Sequence, residues 1–461
     1  MATLRVDNPA TGEIAAEVEM LPASSLDRLL ERAAAASREI AACDVDQRVA
    51  LCERVLSWFE SNGDRVARDL TAQMGKPIGE ARAEIRTMID RARHMMSIAA
   101  EQLATEALPD GPGLERYIER VPVGTVLDIA AWNYPLLIPV NVVVPAVLAG
   151  NAVVLKHSSR TPLCAAHFAD AFAGAGAPAG LVAAVVTDHD TSAALIARRE
   201  IGYVAFTGSV RGGEEVSRAA AGRPIEVGLE LGGNDPAYVR ADADLDFAVE
   251  NVAEGAFYNA GQSCCAIERI YAHADVYDEV VTRLGEAAAG WRPGNPLADD
   301  TRLGPLAQES GRRTTARHVA DAVARGARVV VGGNELEIGG AGRYFEATVL
   351  ADADHEMAMM TEETFGPLAP VMKVASDEEA IARMNDSAYG LTASVWTRDT
   401  VAARQICSRL EAGTVFLNRC DYLDPALPWS GWKDSGVGIT LSRFGFDRMV
   451  RTRAYHLRAS P

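Results

Sequence analysis

Residues 124–155 read GTVLDIAAWNYPLLIPVNVVVPAVLAGNAVVL. Val126–Ala130 is an apolar run of strand length, 136–149 has the length of a helix, and Ala152–Leu155 is a second short apolar run. The stretch 134–155 is hydrophobic enough to suggest a membrane span. Pro135, Pro139, Asn141, Pro145, Gly150 and Asn151 interrupt it, so helix, turn and buried strand explain it better. The strand–helix–strand unit then repeats: helix 162–173, strand 182–186, helix 191–197, strand 203–206, helix 210–220 and strand 225–229. Five short apolar strands separated by helices predict a doubly wound, Rossmann-like parallel α/β sheet.

Working outward, residues 26–104 read as three helices. Leu26, Leu29, Leu30 and Ala33 share one helical face, as do Val49, Cys52 and Leu56; Gly63 and Gly75-Lys76-Pro77 punctuate the run. Residues 114–121 alternate as a half-exposed strand does. On the C-terminal side, residues 235–418 repeat the α/β alternation, with strands near 235–239, 269–273, 328–332, 371–374, 393–397 and 414–417. A second α/β domain is the natural reading, followed by a short polar–apolar tail at 443–461.

With 461 residues and 48% hydrophobic content, the chain is long enough for two or three domains. Its net charge of −18 argues against nucleic-acid and anionic-membrane partners. The seven cysteines are odd in number and scattered, with no CxxC pair, so neither a disulfide framework nor a metal site is expected. The first residues lack the apolar core of a signal peptide, and a cytoplasmic location is expected.

Three separate segments carry chemistry. Gly261-Gln262-Ser263-Cys264-Cys265 supplies a thiol, and Gly261 and Ser263 leave room around it; a helical pattern at 244–259 precedes it. Glu230 ends an apolar strand just before Gly232-Gly233, at the sheet edge where open α/β folds bind ligands. Asn133, within Trp132-Asn133-Tyr134-Pro135, offers a side-chain amide able to hold an oxyanion. Thiol attack on a carbonyl needs a nucleophile, a base and an oxyanion partner. Gly208-Ser209-Val210-Arg211-Gly212-Gly213 opens a helix after a strand, a place suited to a diphosphate.

These segments resemble the aldehyde dehydrogenase superfamily nearly end to end. The resemblance also rests on Asn8-Pro9-Ala10-Thr11-Gly12, Phe206-Thr207-Gly208-Ser209, Glu230-Leu231-Gly232-Gly233, Glu362-Glu363-Thr364-Phe365-Gly366-Pro367, Gly413-Thr414-Val415-Phe416-Leu417-Asn418 and Pro428-Trp429-Ser430-Gly431-Trp432. It implies a cofactor domain at 1–112 and 124–229, a catalytic domain at 230–442, and a β oligomerisation arm from 113–123 and 443–461 that joins subunits into a homodimer or homotetramer. It implies that Cys264 is the nucleophile, since it stands in Gly-Gln-x-Cys register, while the side chain of Cys265 points elsewhere. Glu230 is then the general base that activates water against a thioester, and Asn133 with the Cys264 N–H holds the oxyanion. Glutamate at 230 favours hydrolysis to an acid over transfer to coenzyme A. NAD or NADP is implied, with Trp132, Lys156, Ser159, Gly208, Ser209, Gly213, Leu231, Glu363 and Phe365 around it. Lys156 would hold the adenosine ribose, Glu363 the nicotinamide ribose, and Phe365 would pack near the nicotinamide.

The chain also departs from that pattern. Ser159 stands where NAD-preferring relatives often carry a glutamate, and Arg160 follows it, so NADP use is expected. Val142 and Thr440 stand where many relatives carry a lysine and a glutamate of a proton relay. The expected substrate funnel is Tyr134, Ile138, Asn141, Leu423, Trp429 and, as funnel or core, Trp432. That set favours an uncharged aliphatic or aromatic aldehyde; succinate semialdehyde or a related semialdehyde is the alternative. A cofactor-free thiol hydrolase would need a histidine partner for Cys264, for which His157 and His189 are candidates. An inactive structural homologue would not keep Cys264, Glu230 and Asn133 together.

Overall fold

The computed structural model describes residues 2–109 and 113–458. Met1, residues 110–112 and residues 459–461, which close parts of the expected cofactor segment and tail, lie outside the described residues.

Five parallel strands form the first sheet, in the spatial order Glu226–Glu230, Ile201–Thr207, Thr125–Ala130, Ala152–His157, Val182–Val185. All five match predicted strands to within two residues. The order reverses direction between Thr125–Ala130 and Ile201–Thr207, and such a switch point opens a crevice at the carboxyl ends of the strands. The turn at Ala131–Pro135 and the Gly208-Ser209 segment both leave the sheet there. Gly436–Val437 returns from far along the chain and pairs antiparallel with Glu226–Glu230 at the sheet edge.

Three helices, Leu26–Ala41, Val45–Met74 and Ile78–Gln102, pack with this sheet into one hydrophobic core. The second runs straight through Gly63, contrary to the punctuation expected there. A central glycine costs about 1 kcal/mol, and burying Phe59, Val66, Ala67 and Leu70 on either side of it outweighs that. The break falls at Gly75 instead, whose φ of 83° caps the helix in the left-handed region.

The second sheet has seven strands, ordered Arg328–Val331, Thr348–Ala351, Leu368–Val374, Ile267–His273, Asp235–Val239, Thr392–Trp396, Thr414–Leu417. Only the Arg328–Val331 edge pairs antiparallel, and a separate apolar core surrounds the sheet. Thr348–Ala351 is a fully buried strand that the sequence does not signal, because a threonine and three apolar residues carry no detectable period. The ribbon Leu114–Pro122 pairs along its whole length with the tail strand Val450–Arg458, and Tyr117 stacks on Tyr455 at 4.3 Å.

Candidate active site

A cavity of about 560 Å³ lies between the two cores, and both Cys264 and Glu230 line it. The path of the chain to Cys264 is strained. Helix Leu245–Phe257 ends in a turn where Asn259 (φ 52°), Ala260 (φ 55°) and Gly261 (φ 70°) are all left-handed. Only glycine visits that region without cost, so the surroundings must hold the other two there. Asn259 N–H donates to the Glu80 carboxylate at 3.1 Å, and Asn259 Nδ2 donates to the carbonyls of Asn133 (3.0 Å) and Gln262 (3.1 Å). Gln262 Nε2 returns a bond to Asn259 O, and its Oε1 accepts from Ala307 N at 2.8 Å. A Cβ at Gly261 would stand 2.2 Å from the Gly366 carbonyl, so no other residue fits.

The two adjacent thiols differ in their bonding more than in their location. Cys265 also lines the cavity, which corrects the expectation that it points elsewhere. Its Sγ donates to Asp421 Oδ1 at 2.8 Å. A hydrogen bond with Cys264, burial and the Asp421 charge together hold its pKa well above the thiol range. Cys265 is therefore held as a thiol, while Cys264 stands half-buried beside it.

Asn133 is 3% exposed and sits in the turn after Thr125–Ala130. It is not among the residues that line the cavity. Its backbone carbonyl takes bonds from Asn259 and from Lys76 Nζ at 2.9 Å, which fastens the turn to the Cys264 loop. Lys76 forms a buried ion pair with Glu84. Glu84 Oε1 in turn accepts from Leu136 N at 2.8 Å and Leu137 N at 3.3 Å, satisfying the otherwise uncapped start of helix Leu137–Leu148. The sequence reading took Lys76 only as part of a turn and passed over Glu84; eight residues apart on different elements, they gave no local signal.

Glu230 ends its strand with both carboxylate oxygens engaged. Thr207 Oγ1, its neighbour in the ladder, donates to Oε2 at 3.1 Å, and Thr440 donates to Oε1. Desolvation pushes the Glu230 pKa up, while Thr440, Thr207 and the Arg91 charge pull against that rise. Thr440 thus orients the carboxylate directly.

Tyr134, Ile138, Asn141, Leu423 and Trp429 all line the cavity. Trp432 does not; it is 51% exposed and serves neither as funnel nor as core. The lining is more polar than expected, because Arg91, Thr87 and Asp421 contribute as well. Arg91 is 7% exposed, and its Nε has no hydrogen-bond partner among the described residues. Asp421 accepts from Ser263 at 3.2 Å and from Tyr134 at 3.4 Å. Neither stood in a recognisable motif.

Near the switch point, Lys156 lies one residue before the end of its strand, half-buried, with no ion pair or hydrogen bond of its side chain among the described residues, and burial lowers its pKa. Ser159 is exposed beside it. Arg160, expected near a ribose phosphate, turns the other way: it is paired with Asp7 and donates to Gln73 O at 2.6 Å. Ser209 caps helix Val210–Ala220 by accepting from Gly212 N. Gly213 packs on Leu231, and a Cβ there would meet Leu231 Cδ2 at 2.7 Å. Glu363 accepts from Gly233 N at 3.0 Å, and burial pushes its pKa up to about 7. Glu362 instead faces outward and pairs with Arg317. Phe365, at φ 53°, is held by its N–H bond to Glu268 and meets the Trp132 ring edge-on at 5.4 Å. His157 has both ring nitrogens committed, to Pro135 O and Thr161 Oγ1, and burial lowers its pKa to about 4. His189 is exposed on another helix. Neither partners Cys264, which removes the support for a cysteine–histidine hydrolase.

Among the described residues no helix is long and apolar enough to cross a membrane, and all seven cysteines are free.

The model of the "Aldehyde dehydrogenase family" matches residues 2–455. The chain is 38% identical to a 3,6-anhydro-alpha-L-galactose dehydrogenase of Streptomyces coelicolor, over 99% of this chain and 93% of that protein. It is 34% identical to succinate-semialdehyde dehydrogenase [NADP(+)] 1 of Mycobacterium tuberculosis, over 95% of this chain and 96% of that one. A solved structure of 3,6-anhydro-L-galactose dehydrogenase in complex with NAP superposes with a TM-score of 0.95 at 31% identity, covering 99% and 96% of the two chains. A whole-chain match of this kind, on a cavity that joins a free thiol to an oriented carboxylate, makes the protein an NAD- or NADP-using oxidoreductase of aldehydes and a member of the aldehyde dehydrogenase family.

Proposed function

We propose that the chain oxidises an aldehyde to a carboxylic acid through a thioester on Cys264. The observation that carries this is the meeting of two groups in one cavity: a half-buried thiol on a pinned loop and a carboxylate oriented by two hydroxyls. The Cys264 thiolate adds to the aldehyde carbonyl. The Asn133 amide, with the Cys264 N–H, stabilises the oxyanion, an interaction typically worth about 3 kcal/mol per donor. Glu230 then takes a proton from water, which attacks the thioester and releases the acid and Cys264.

The nicotinamide of NAD or NADP supplies the hydride acceptor when bound. An unpaired Lys156 beside exposed Ser159 fits a sugar or phosphate oxygen, and Glu363 fits a ribose hydroxyl. Trp132, Gly208, Ser209, Gly213, Leu231 and Phe365 complete the reading. The first core then belongs to cofactor binding, with 1–112 and 124–229, and the second to catalysis, with 230–442. The ribbon at 113–123 with the tail at 443–461 is proposed to join subunits into a homodimer or homotetramer, and the compartment is proposed to be the cytoplasm.

For substrate, the buried Arg91 and Asn141 and the half-buried Asp421 in the cavity wall support an aldehyde carrying hydroxyl or carboxylate oxygens, in place of the plain aliphatic or aromatic one first expected. The named relatives act on such compounds, 3,6-anhydro-L-galactose and succinate semialdehyde. The test is a panel of plain, hydroxylated and carboxylated aldehydes with NAD+ and NADP+, followed by absorbance of the reduced cofactor. Best turnover with an oxygen-bearing aldehyde, and a KM that rises in Arg91→Gln, is expected. Preference for plain aldehydes sinks the substrate reading, and silence across the panel sinks the reaction.

A further inference from the structure

We propose that Asp421 is a specificity-determining residue, and that the substrate carries a hydroxyl on the carbon next to the aldehyde, which donates to Asp421 Oδ2. This rests on the reading of the cavity as an aldehyde site with Cys264 as nucleophile, and it narrows the oxygen-bearing aldehyde to a 2-hydroxyaldehyde.

Asp421 is fastened to both neighbours of Cys264. Its Oδ1 accepts from Ser263 Oγ at 3.2 Å and from Cys265 Sγ at 2.8 Å. Cys265 in turn is hydrogen-bonded to Cys264, so a single thiol separates the carboxylate from the nucleophilic sulfur. Asp421, Cys264 and Cys265 all line the same cavity. The backbone at Asp421 is left-handed, with φ 42°. That conformation is costly for a residue with a Cβ, and such residues gather where a ligand is gripped.

The two oxygens of Asp421 are unequally used. Oδ1 takes two donors, whereas Oδ2 takes one, the Tyr134 hydroxyl at 3.4 Å. That bond is long, since hydroxyl donors usually stand about 2.7–2.8 Å from an oxygen. A carboxylate offers about four acceptor positions, so Oδ2 has room for a second and better donor. The Tyr134 ring is itself held in place by Lys76 Nζ, 4.1 Å from the ring centre.

An acceptor at this place selects for a donor. A carboxylate carried next to the reacting carbonyl would meet like charge from Asp421 and from Glu230, which lines the same cavity. A methyl or methylene there would leave Oδ2 with its long bond alone. A hydroxyl satisfies Oδ2 without adding charge. Once Cys264 Sγ has bonded to the aldehyde carbon, the next carbon carries the substrate group nearest the sulfur, and Asp421, one thiol away, is within reach of a hydroxyl there. Arg91, on helix Ile78–Gln102, lines the cavity as well and is left for oxygens farther along the substrate. A site built to bond a substrate hydroxyl discriminates against the analogue that lacks it, because its own acceptor is then left unpaired.

The test measures kcat/KM for 2-hydroxypropanal, 3-hydroxypropanal and propanal, which share one chain length, in wild type, Asp421→Asn and Asp421→Ala. Wild type should prefer 2-hydroxypropanal to propanal by about tenfold or more, and should also prefer it to 3-hydroxypropanal. Asp421→Asn should lower the ratio of 2-hydroxypropanal to propanal by about fivefold or more, and Asp421→Ala should bring it close to one. The ratio is the deciding quantity because Asp421 also braces Ser263 and Cys265: a loosened loop depresses all three aldehydes together and leaves their ratios in place. Ratios unchanged in both variants therefore overturn the proposal. So do wild-type values for the three aldehydes within about twofold of one another, a result that needs no variant to fold. Turnover by wild type of a carboxylated aldehyde alone overturns it as well and leaves the aldehyde reading standing. Silence on every aldehyde, or full turnover in Cys264→Ala, removes the underlying reading and this proposal with it.

Discussion

The Cys264 loop and the carboxyl edge of the first sheet meet in one cavity and are built in opposite ways. The loop is strained and fully tied: three consecutive left-handed residues, with bonds from Asn259 and Gln262 to Asn133, Glu80 and Ala307. The edge has ordinary strand geometry but leaves groups uncommitted. Among the described residues Lys156 has no side-chain partner, both oxygens of Asp128 are orphaned, and a water-sized void lies against Glu230. A nucleophile must be aimed, so its backbone is fixed at a cost of order 1–3 kcal/mol per strained residue. At the edge, Glu230 is itself oriented by Thr207 and Thr440, so what stays open to a ligand there is Lys156.

The largest test of this contrast removes the aimed atom. Cys264→Ala should reduce steady-state turnover by at least about 10⁴-fold, while Cys265→Ala, which loses only a thiol tied to Asp421, should remain within a few-fold. Equal losses would mean that the loop does not distinguish its two thiols. Next, Glu230→Gln should slow the turnover that follows the burst by about 10²-fold or more and spare the burst itself. Loss of both phases together would place Glu230 in thiol activation and erase the division of labour.

Lys76→Met strikes the anchor of the Asn133 turn. It leaves Glu84 buried without its cation, and breaking such a pair should cost about 3–5 kcal/mol in a denaturant melt. Adding Glu84→Gln should recover part of that loss; no recovery would show that the pair is not what holds the turn.

Thr440→Val probes the base more gently. Thr440 donates to the anionic form of Glu230, so its loss raises a pKa that is already high. Activity that needs the carboxylate is present above that pKa and lost below it. The acid limb of the pH profile should therefore move to higher pH by roughly one to two units, the worth of one hydrogen bond to a charge. A limb that stays in place would show that Thr440 only packs.

Ser159→Glu has the smallest expected effect. It sets a carboxylate beside Lys156 and should lower kcat/KM with NADP+ by about tenfold relative to NAD+, or about 1.4 kcal/mol. Because Arg160 is locked to Asp7, Lys156 and Ser159 act there without its help. An unchanged ratio would show that this end of the sheet edge does not read the ribose.

From the residues alone came the parallel α/β architecture, eleven of the thirteen strands of the two large sheets, the three N-terminal helices, and the segments that carry Cys264, Glu230 and Asn133. These follow from hydrophobic period, turn residues and motifs, all of which are local in sequence. Tertiary structure alone decided that helix Val45–Met74 runs through Gly63, that Cys265 bonds to Asp421, and that Arg160 turns to Asp7. It also revealed Lys76 with Glu84, Arg91 in the cavity wall and orphaned Asp128. A charged side chain finds its partner or its cavity across distant segments: Cys265 and Asp421 are 156 residues apart, and Arg160 and Asp7 are 153 apart. Periodicity records which face of an element is buried, whereas the identity of what a buried charge meets is set only when the sheets and helices pack.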